Sequence, residues 1–366
     1  MSFKKIPPLQ IGDLEAKIPI IQGGMGVSIS LSGLASAVAN EGGIGVISAT
    51  GIGMLEPDFS SNLKGANERA LRREIRKARE MTSGIVGVNI LVALTDYDDL
   101  LQIAVDEGVD MVFLGAGLPL SIPETLLTSG SSKAAVKVVP IVSSARATNL
   151  IFKYWGNHYN RVPDAVVVEG PLAGGHLGFT KEQIDNPDHS LEKILPEVIA
   201  VIKSYERNLN KSIPVIAAGG VYTGADIYKF IQLGAQGVQM ATRFVATHEC
   251  DASLRFKEAY VNCKREDLTI IDSPVGLPGR AIRNRFLEEV SSGKRRPFKC
   301  HWKCLKTCDF ESSPYCICTA LTNAKKGQLE KGFAFAGANA YRIDTIISVR
   351  ELIETLLTEY ENAAAT

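Results

Sequence analysis

Between residues 168 and 178 the chain reads Val168-Glu169-Gly170-Pro171-Leu172-Ala173-Gly174-Gly175-His176-Leu177-Gly178. An apolar run at 165–168 ends abruptly in a loop with four glycines and one histidine. Glycines at a strand end let a flat ligand approach the backbone, because no Cβ holds it off. A histidine at the ligand's edge supplies a group that titrates near neutrality. The pattern predicts a bound cofactor with His176 beside it. Glu169, at the front of the loop, is placed to hydrogen-bond that cofactor or to orient a base.

Two later segments describe an anion cradle. Ile213-Pro-Val-Ile-Ala-Ala-Gly219-Gly220-Val221 is an apolar run ending in a Gly-Gly turn, and a capped helix follows. Backbone N–H groups of such a turn, with a helix N-terminus nearby, bind phosphate. The run ending Gln239-Met240-Ala241-Thr242-Arg243 adds more N–H groups, a hydroxyl and a guanidinium. Earlier, Gln22-Gly23-Gly24-Met25-Gly26 again permits close backbone approach. Asn89 is an amide at the end of an apolar run, and a buried amide needs partners that a cofactor's heteroatoms would supply. Ser143 and Ser144 are weaker candidates. His158, His189, His248 and His301 read as ordinary structural or surface residues.

These residues need elements to hold them. Apolar runs fall at 18–22, 44–48, 85–90, 111–114, 136–141, 165–168, 213–217 and 237–240. None alternates with polar residues, as expected of parallel strands buried on both faces. Helical patterns lie between them at 31–41, 67–81, 97–107, 121–129, 145–158, 191–208 and 224–233. The sixth follows i, i+3, i+4, i+7 spacing behind Ser190 as N-cap. The seventh opens with Thr223-Gly-Ala-Asp226, a capping-box pattern. The Arg- and Lys-rich helix at 67–81 reads as a solvated outer face. Eight strand–helix alternations predict an α/β fold of the (β/α)8 TIM-barrel type, with chemistry at the C-terminal strand ends. A doubly wound sheet would carry its phosphate-binding glycines after the first strand, whereas here the strongest such signal follows the seventh.

The chain is 366 residues, 45% hydrophobic and 22% charged, with a formal charge of zero. That balance offers no global field for nucleic acid or membrane. No apolar run reaches the roughly 20 residues that span a bilayer, and the N-terminus lacks an apolar signal core. The expected location is cytoplasmic. Residues 1–250 read as the barrel and 251–366 as a C-terminal extension that wraps or caps it.

Taken together, Gln22-Gly-Gly-Met25, Asn89, Glu169-Gly-Pro-Leu-Ala-Gly-Gly-His176, Ala218-Gly-Gly220 and Gln239-Met-Ala-Thr242 resemble the FMN-dependent nitronate monooxygenases, formerly 2-nitropropane dioxygenases. FMN-dependent enoyl-acyl-carrier-protein reductases carry nearly the same motifs. The resemblance covers roughly residues 5 to 250. It implies FMN phosphate on Gly219, Gly220 and the turn Gln239, Met240, Ala241 and Thr242. It implies Gly23, Gly24, Met25, Asn89, Glu169, Gly174 and Gly175 around the flavin, and His176 facing its reactive edge. The implied reaction converts an alkyl nitronate and O2 to a carbonyl compound and nitrite. His176 acts there as base towards a nitroalkane or stabilises the anion. The alternative is an enoyl-thioester reductase using NAD(P)H and acyl carrier protein. A flavin-free phosphate-binding module is the remaining reading. A homodimer is compatible with each. Many family members have Gln where this chain has Glu169, and the best-known ones lack the cysteine-rich region.

That region holds Cys300, Cys304, Cys308, Cys316 and Cys318 within 19 residues. The spacing matches neither C-x2-C zinc nor ferredoxin patterns. If helical, Cys300, Cys304 and Cys308 would form one stripe. Packed thiols, with no metal, is the reading adopted, over metal ligation or a redox role. From Arg280 to Lys306 nine Lys or Arg face two Glu. This reads as a solvated surface, with docking of an anionic carrier or nucleotide as the sharper alternative.

Overall fold

The computed structural model describes residues 5–123, 126, 135–300 and 302–365. Its strands are β1 (Leu9–Ile11), β2 (Leu14–Ala16), β3 (Ile20–Gln22), β4 (Ile44–Ser48), β5 (Ile85–Leu91), β6 (Met111–Gly115) and β7 (Lys137–Val142). They continue with β8 (Val166–Glu169), β9 (Gly175–His176), β10 (Val215–Ala218), β11 (Gly237–Met240), β12 (Leu268–Asp272) and β13 (Pro278–Ile282). The helices are α1 (Ser32–Asn40), α2 (Leu63–Met81), α3 (Tyr97–Asp106), α4 (Ala145–Tyr159), α5 (Lys181–Ile184) and α6 (Leu191–Leu209). After them come α7 (Gly224–Gln232), α8 (Thr242–Val245), α9 (Leu254–Val261), α10 (Arg285–Ser291), α11 (Ile317–Lys325) and α12 (Val349–Ala365).

The strands β3, β4, β5, β6, β7, β8, β10 and β11 close into one barrel, and every adjacent pair is parallel. This is the predicted (β/α)8 barrel. Both faces of the strands are buried, which is why their sequences do not alternate. Ile21, Ile44, Val46, Met111, Phe113, Val139, Val167 and Ile216 fill the interior. Their neighbours Ile20, Ile47, Val112, Val138, Val166, Val168 and Val215 pack outward under the helices. The β1–β2 hairpin adds Leu9, Ile11 and Ala16 to the interior cluster. Gly87 makes room there, since a Cβ would stand 2.8 Å from the Phe113 ring.

The Arg-rich helix α2 is the solvated face expected. Arg72 and Arg76 bind Glu107 at the end of α3, and Arg73 binds Glu56. Thr223 and Asp226 form the predicted capping box of α7. Ser190 stands at the N-cap of α6 but makes no side-chain cap bond. The helix expected at 121–129 falls largely on residues outside the described set, as does His301.

The last helix completes the ring. α12 packs on α7 and α1, where an eighth barrel helix belongs. Gly224 is glycine for that contact, because a Cβ would lie 2.1 Å from Leu356 O. The segment between β11 and α12 forms a roof. β12 and β13 make an antiparallel hairpin, and β13 then pairs with β9, so the glycine loop becomes the third strand of a small sheet. Behind it Phe286, Tyr315, Ile317, Ala320 and Phe333 form a separate apolar cluster.

Candidate functional site

Side chains alternate along a strand, so the interior pattern dictates what stands at the mouth. Two residues beyond Val46 comes Ser48, beyond Gly87 comes Asn89, beyond Ile141 comes Ser143 and beyond Val167 comes Glu169. An apolar barrel thus ends in a polar rim at its C-terminal edge. Gln239 belongs to the same rim, its Cγ 3.5 Å from where a Gly23 Cβ would stand. Ser48 Oγ is buried and has no hydrogen-bond partner among the described residues. Asn89 makes one long bond, from its amide nitrogen to Phe113 O at 3.4 Å. Gly24 is glycine because Asn89 lies over it, with Asn89 Cβ 2.4 Å from a would-be Cβ. Met25 is anchored by its N–H to Ser30 Oγ at 2.8 Å.

A cavity opens beside Glu169, lined by Leu172, Gly174, Gly219, Gly220, Tyr222, Gln239, Met240, Ala241, Thr242 and Asn339 among others. Gly219 and Gly220 have φ of 85° and 98°, the left-handed region that favours glycine. Among the described residues, the N–H groups of Gly219, Gly220, Ala241 and Thr242 donate to no protein acceptor. The Met240 side chain lies in the outer core and its carbonyl accepts from Gly23 N–H at 2.8 Å. Thr242 Oγ1 accepts from Gly337 N–H at 3.2 Å, which leaves its own hydroxyl proton free to donate.

The nearby helix N-terminus does not contribute as expected. Asp226 takes the N–H groups of Tyr222 and Thr223, and Glu359 of α12 takes that of Gly224 at 2.6 Å. Two carboxylates take these N–H groups at the start of α7, so the unpaired N–H groups lining the cavity are those of the loops. Arg243 likewise turns away to stack on Tyr222 and bond its carbonyl.

His176 sits on β9, opposite Gly279 of β13. Its Nε2 is 2.7 Å from Ser273 Oγ, and its ring meets Phe335 edge-on at 5.0 Å. Burial pushes its pKa down to about 4, so the imidazole is neutral at neutral pH. Burial acts in the opposite sense on Glu169, raising its carboxyl to about 7. The Glu169 side chain keeps some exposed surface toward the cavity. Gly174 is glycine for the roof, since a Cβ would stand 2.5 Å from the Ala336–Gly337 backbone. Gly175, at φ 82°, faces open space.

The two shifts make opposing contributions to stability. His176 binds a proton more weakly when folded, so its contribution falls as pH drops from 6.5 through about 4. Glu169 binds one more tightly when folded, so its contribution falls as pH rises from 4.5 through about 7. Where the windows overlap the two slopes cancel.

Several site residues were not found in the sequence. Arg280, read as part of a basic surface, is 7% exposed. Its Nη1 donates to Pro171 O at 2.6 Å and Ala173 O at 2.7 Å, gripping the glycine loop from within. Asn339 Nδ2 holds Gly220 O at 2.7 Å, and Ala338 N–H holds Leu172 O. Ser273 was also missed. The turn residues Gly276, Pro278 and Gly279 between apolar runs do signal a hairpin. Nothing local says which loop it covers. The rest of the basic segment is solvated, with Arg285, Lys294 and Arg296 gathered on Glu289 and its carboxyl held down to about 2 by Lys294 and then Arg296. Ser144 is spent capping α4, while Ser143 stands 2.5 Å from where a Gly178 Cβ would be. Cys300, Cys304 and Cys308 lie on no helix, so the single stripe does not form. Among the described residues, no group of three or more His, Cys, Asp or Glu is placed to hold a metal ion. No helix is long and apolar enough to cross a membrane among those residues.

Fold and site define a (β/α)8-barrel enzyme whose polar groups gather in a roofed mouth. The chain belongs to the nitronate monooxygenase family, whose model matches residues 8–359, and it is an oxidoreductase of that type. It is 29% identical over 308 residues to a Staphylococcus aureus (strain Newman) protein named "Probable nitronate monooxygenase", covering 76% of this chain and 79% of the relative. The solved structure of FabK from Thermotoga maritima matches at TM-score 0.72 and 29% identity, covering 95% of this chain and 94% of that one. Nitroalkane oxidase from Streptomyces ansochromogenes matches in fold, at TM-score 0.71 and 21% identity, over 95% of this chain and 97% of that one.

Proposed function

We propose that the protein binds FMN in the barrel mouth and oxidises small alkyl nitronates with O2 to a carbonyl compound and nitrite. The observation that carries the reading is His176, a half-buried and neutral imidazole at a polar-rimmed mouth, on a chain of this family. Three features fit the cofactor. The Gly219–Gly220 turn and the Ala241–Thr242 turn present N–H groups without protein acceptors among the described residues. Gly175 leaves open space where a Cβ would stand. Asn89, Glu169 and Gln239 bring amide and carboxyl groups to the rim.

When bound, FMN supplies a two-electron acceptor that O2 can reoxidise. The chain's own residues bind and orient. The N–H groups of Gly219, Gly220, Ala241 and Thr242 would hold the phosphate oxygens. Gly23, Gly24, Met25, Gly174 and Gly175 are the residues that would lie around the flavin. A neutral imidazole carries one N–H, and His176 donates it to the nitronate oxygens. Its lowered pKa makes it a weak base. The substrate is therefore the preformed anion and not a neutral nitroalkane.

The test is an absorption spectrum followed without air. Propyl-2-nitronate is expected to bleach the flavin, and NAD(P)H is expected to leave it unchanged. The second reading is favoured by the likeness to FabK. It would hold if NAD(P)H bleached the flavin, a trans-2-enoyl thioester restored it and the nitronate did nothing. Protein that takes up no FMN would sink both.

Glu169 gives a pH signature. Ionised above about 7, it repels an anionic substrate. Nitronate kcat/KM is expected to fall above that pH in the unaltered enzyme. In Glu169→Gln the limb disappears and activity persists to higher pH. A limb near 7 that survives the substitution would show that another group controls it.

A further inference from the structure

The five cysteines of the roof are not equivalent. Cys304 Sγ and Cys318 Sγ are 3.5 Å apart, the sole sulfur–sulfur hydrogen bond among the described residues. A disulfide brings sulfurs to about 2.0 Å, so closing this pair takes an approach of about 1.5 Å. Cys304 can supply that movement. It lies in a strap without helix or strand, next to Lys303 at φ 45°, and is half-buried. Cys318 is buried in the first turn of α11. The hydrogen bond from Cys318 lowers the Cys304 pKa, whereas Cys318 itself is raised. Cys304 is thus the more acidic and the more accessible of the two, the properties of an attacking thiol.

The strap is tied to the barrel mouth. Thr95 N–H donates to Cys304 O at 3.2 Å, Lys306 N–H donates to Ala93 O at 2.8 Å, and Leu94 bridges to Leu305. These bonds hold the loop after β5, the strand that carries Asn89. On the other side, α11 packs with Phe333, which meets Phe335 at 5.1 Å, and Phe335 meets His176. A bond between Cys304 and Cys318 would join the loop behind Asn89 to the support of His176.

We propose that Cys304 and Cys318 are a redox modification site that closes to a disulfide on reaction with a peroxide and reopens with a dithiol, clamping the roof onto the barrel mouth. The Cys304 thiolate attacks a peroxide oxygen. The S–O bond forms, the O–O bond breaks, and the leaving hydroxide takes a proton to become water. The resulting sulfenic acid is then attacked by the Cys318 sulfur. The S–S bond forms, the S–O bond breaks, and a second water leaves. Two thiols and one hydrogen peroxide give one disulfide and two waters. Each sulfur loses one electron and the peroxide gains two. Reopening proceeds by thiol–disulfide exchange, which transfers the oxidation to the dithiol.

The test uses reduced holoenzyme, freed of reductant and treated with hydrogen peroxide. Of the seven free thiols, two are expected to disappear, with a mass loss of two hydrogens per chain. Peptide mapping is expected to link Cys304 to Cys318, and dithiothreitol to reverse the change. Exchange of the Thr95 and Lys306 amides is expected to slow in the oxidised form. Cys304→Ser, at the half-buried position, abolishes the link, whereas Cys263→Ser leaves it intact. The peptide map of the unaltered enzyme decides the matter even if a variant fails to fold. Seven persisting thiols, a link to Cys300, Cys308 or Cys316, or equimolar bound zinc or iron would each overturn the proposal.

Discussion

Replacing His176 with alanine is expected to leave FMN bound and to lower nitronate turnover by about 10²–10³-fold, the range for loss of one positioned hydrogen-bond donor. The imidazole is positioned by side-chain contacts with Ser273 and Phe335. The loop is positioned by its backbone. His176 pairs with Gly279, and Leu177 N–H donates to Pro278 O at 2.9 Å. Truncating the side chain therefore leaves β9 in place and the Gly219–Gly220 cradle untouched. Flavin absorbance per chain and steady-state kcat, measured on one preparation, separate the two roles. Full flavin content with unchanged kcat would remove His176 from the chemistry. His176→Gln keeps an N–H donor and should retain more activity than alanine.

The second large effect is expected at Arg280. Arg280→Met keeps the length of the side chain and removes its donors. The carbonyls of Pro171 and Ala173 are then left without the bonds they accept at 2.6 and 2.7 Å. An unmet buried carbonyl costs about 1–3 kcal/mol. Burial already pushes the Arg280 guanidinium pKa down, with Asp185 the opposing charge, so relief of the buried charge offsets part of that loss. A net destabilisation of about 2 kcal/mol is expected by denaturant titration. Turnover is expected to fall about 10–100-fold, because misplacing a reacting group by an ångström costs that much. The loop gripped by Arg280 carries Glu169 at one end and His176 at the other. Arg283→Met, at the exposed residue just past the end of β13, should change neither. Equal effects at both positions would mean that Arg280 acts through surface charge.

The barrel was legible because parallel strands buried on both faces leave unbroken apolar runs, as at 44–48 and 165–168. Strand ends ran a residue or two differently, as in β3, which begins at Ile20 and not at residue 18. The rim was legible in part. Glu169, Asn89 and Gln239 announce themselves as polar residues closing apolar runs, and Gly219–Gly220 as a turn before a capped helix. The helix N-terminus behind that turn was misjudged because its occupant, Glu359, lies 135 residues away. The basic segment was misjudged in part for the same reason. Arg280 looks like its charged neighbours in sequence, and only a partner 109 residues back sets it apart.

The sequence by itself determined the barrel, the polar strand ends at its mouth and the loop from Glu169 to His176. Each of these is written in patterns a few residues long, where backbone period and turn geometry leave little choice. Tertiary structure alone decided how that loop is used. It made Gly175-His176 a strand of the roof sheet and set Ser273, 97 residues on, against the imidazole. It placed Arg280 beneath the loop, α12 in the eighth helix position and Cys304 against Cys318. Those contacts depend on which surfaces fit once the barrel has closed, and packing shape leaves no periodic trace in the chain.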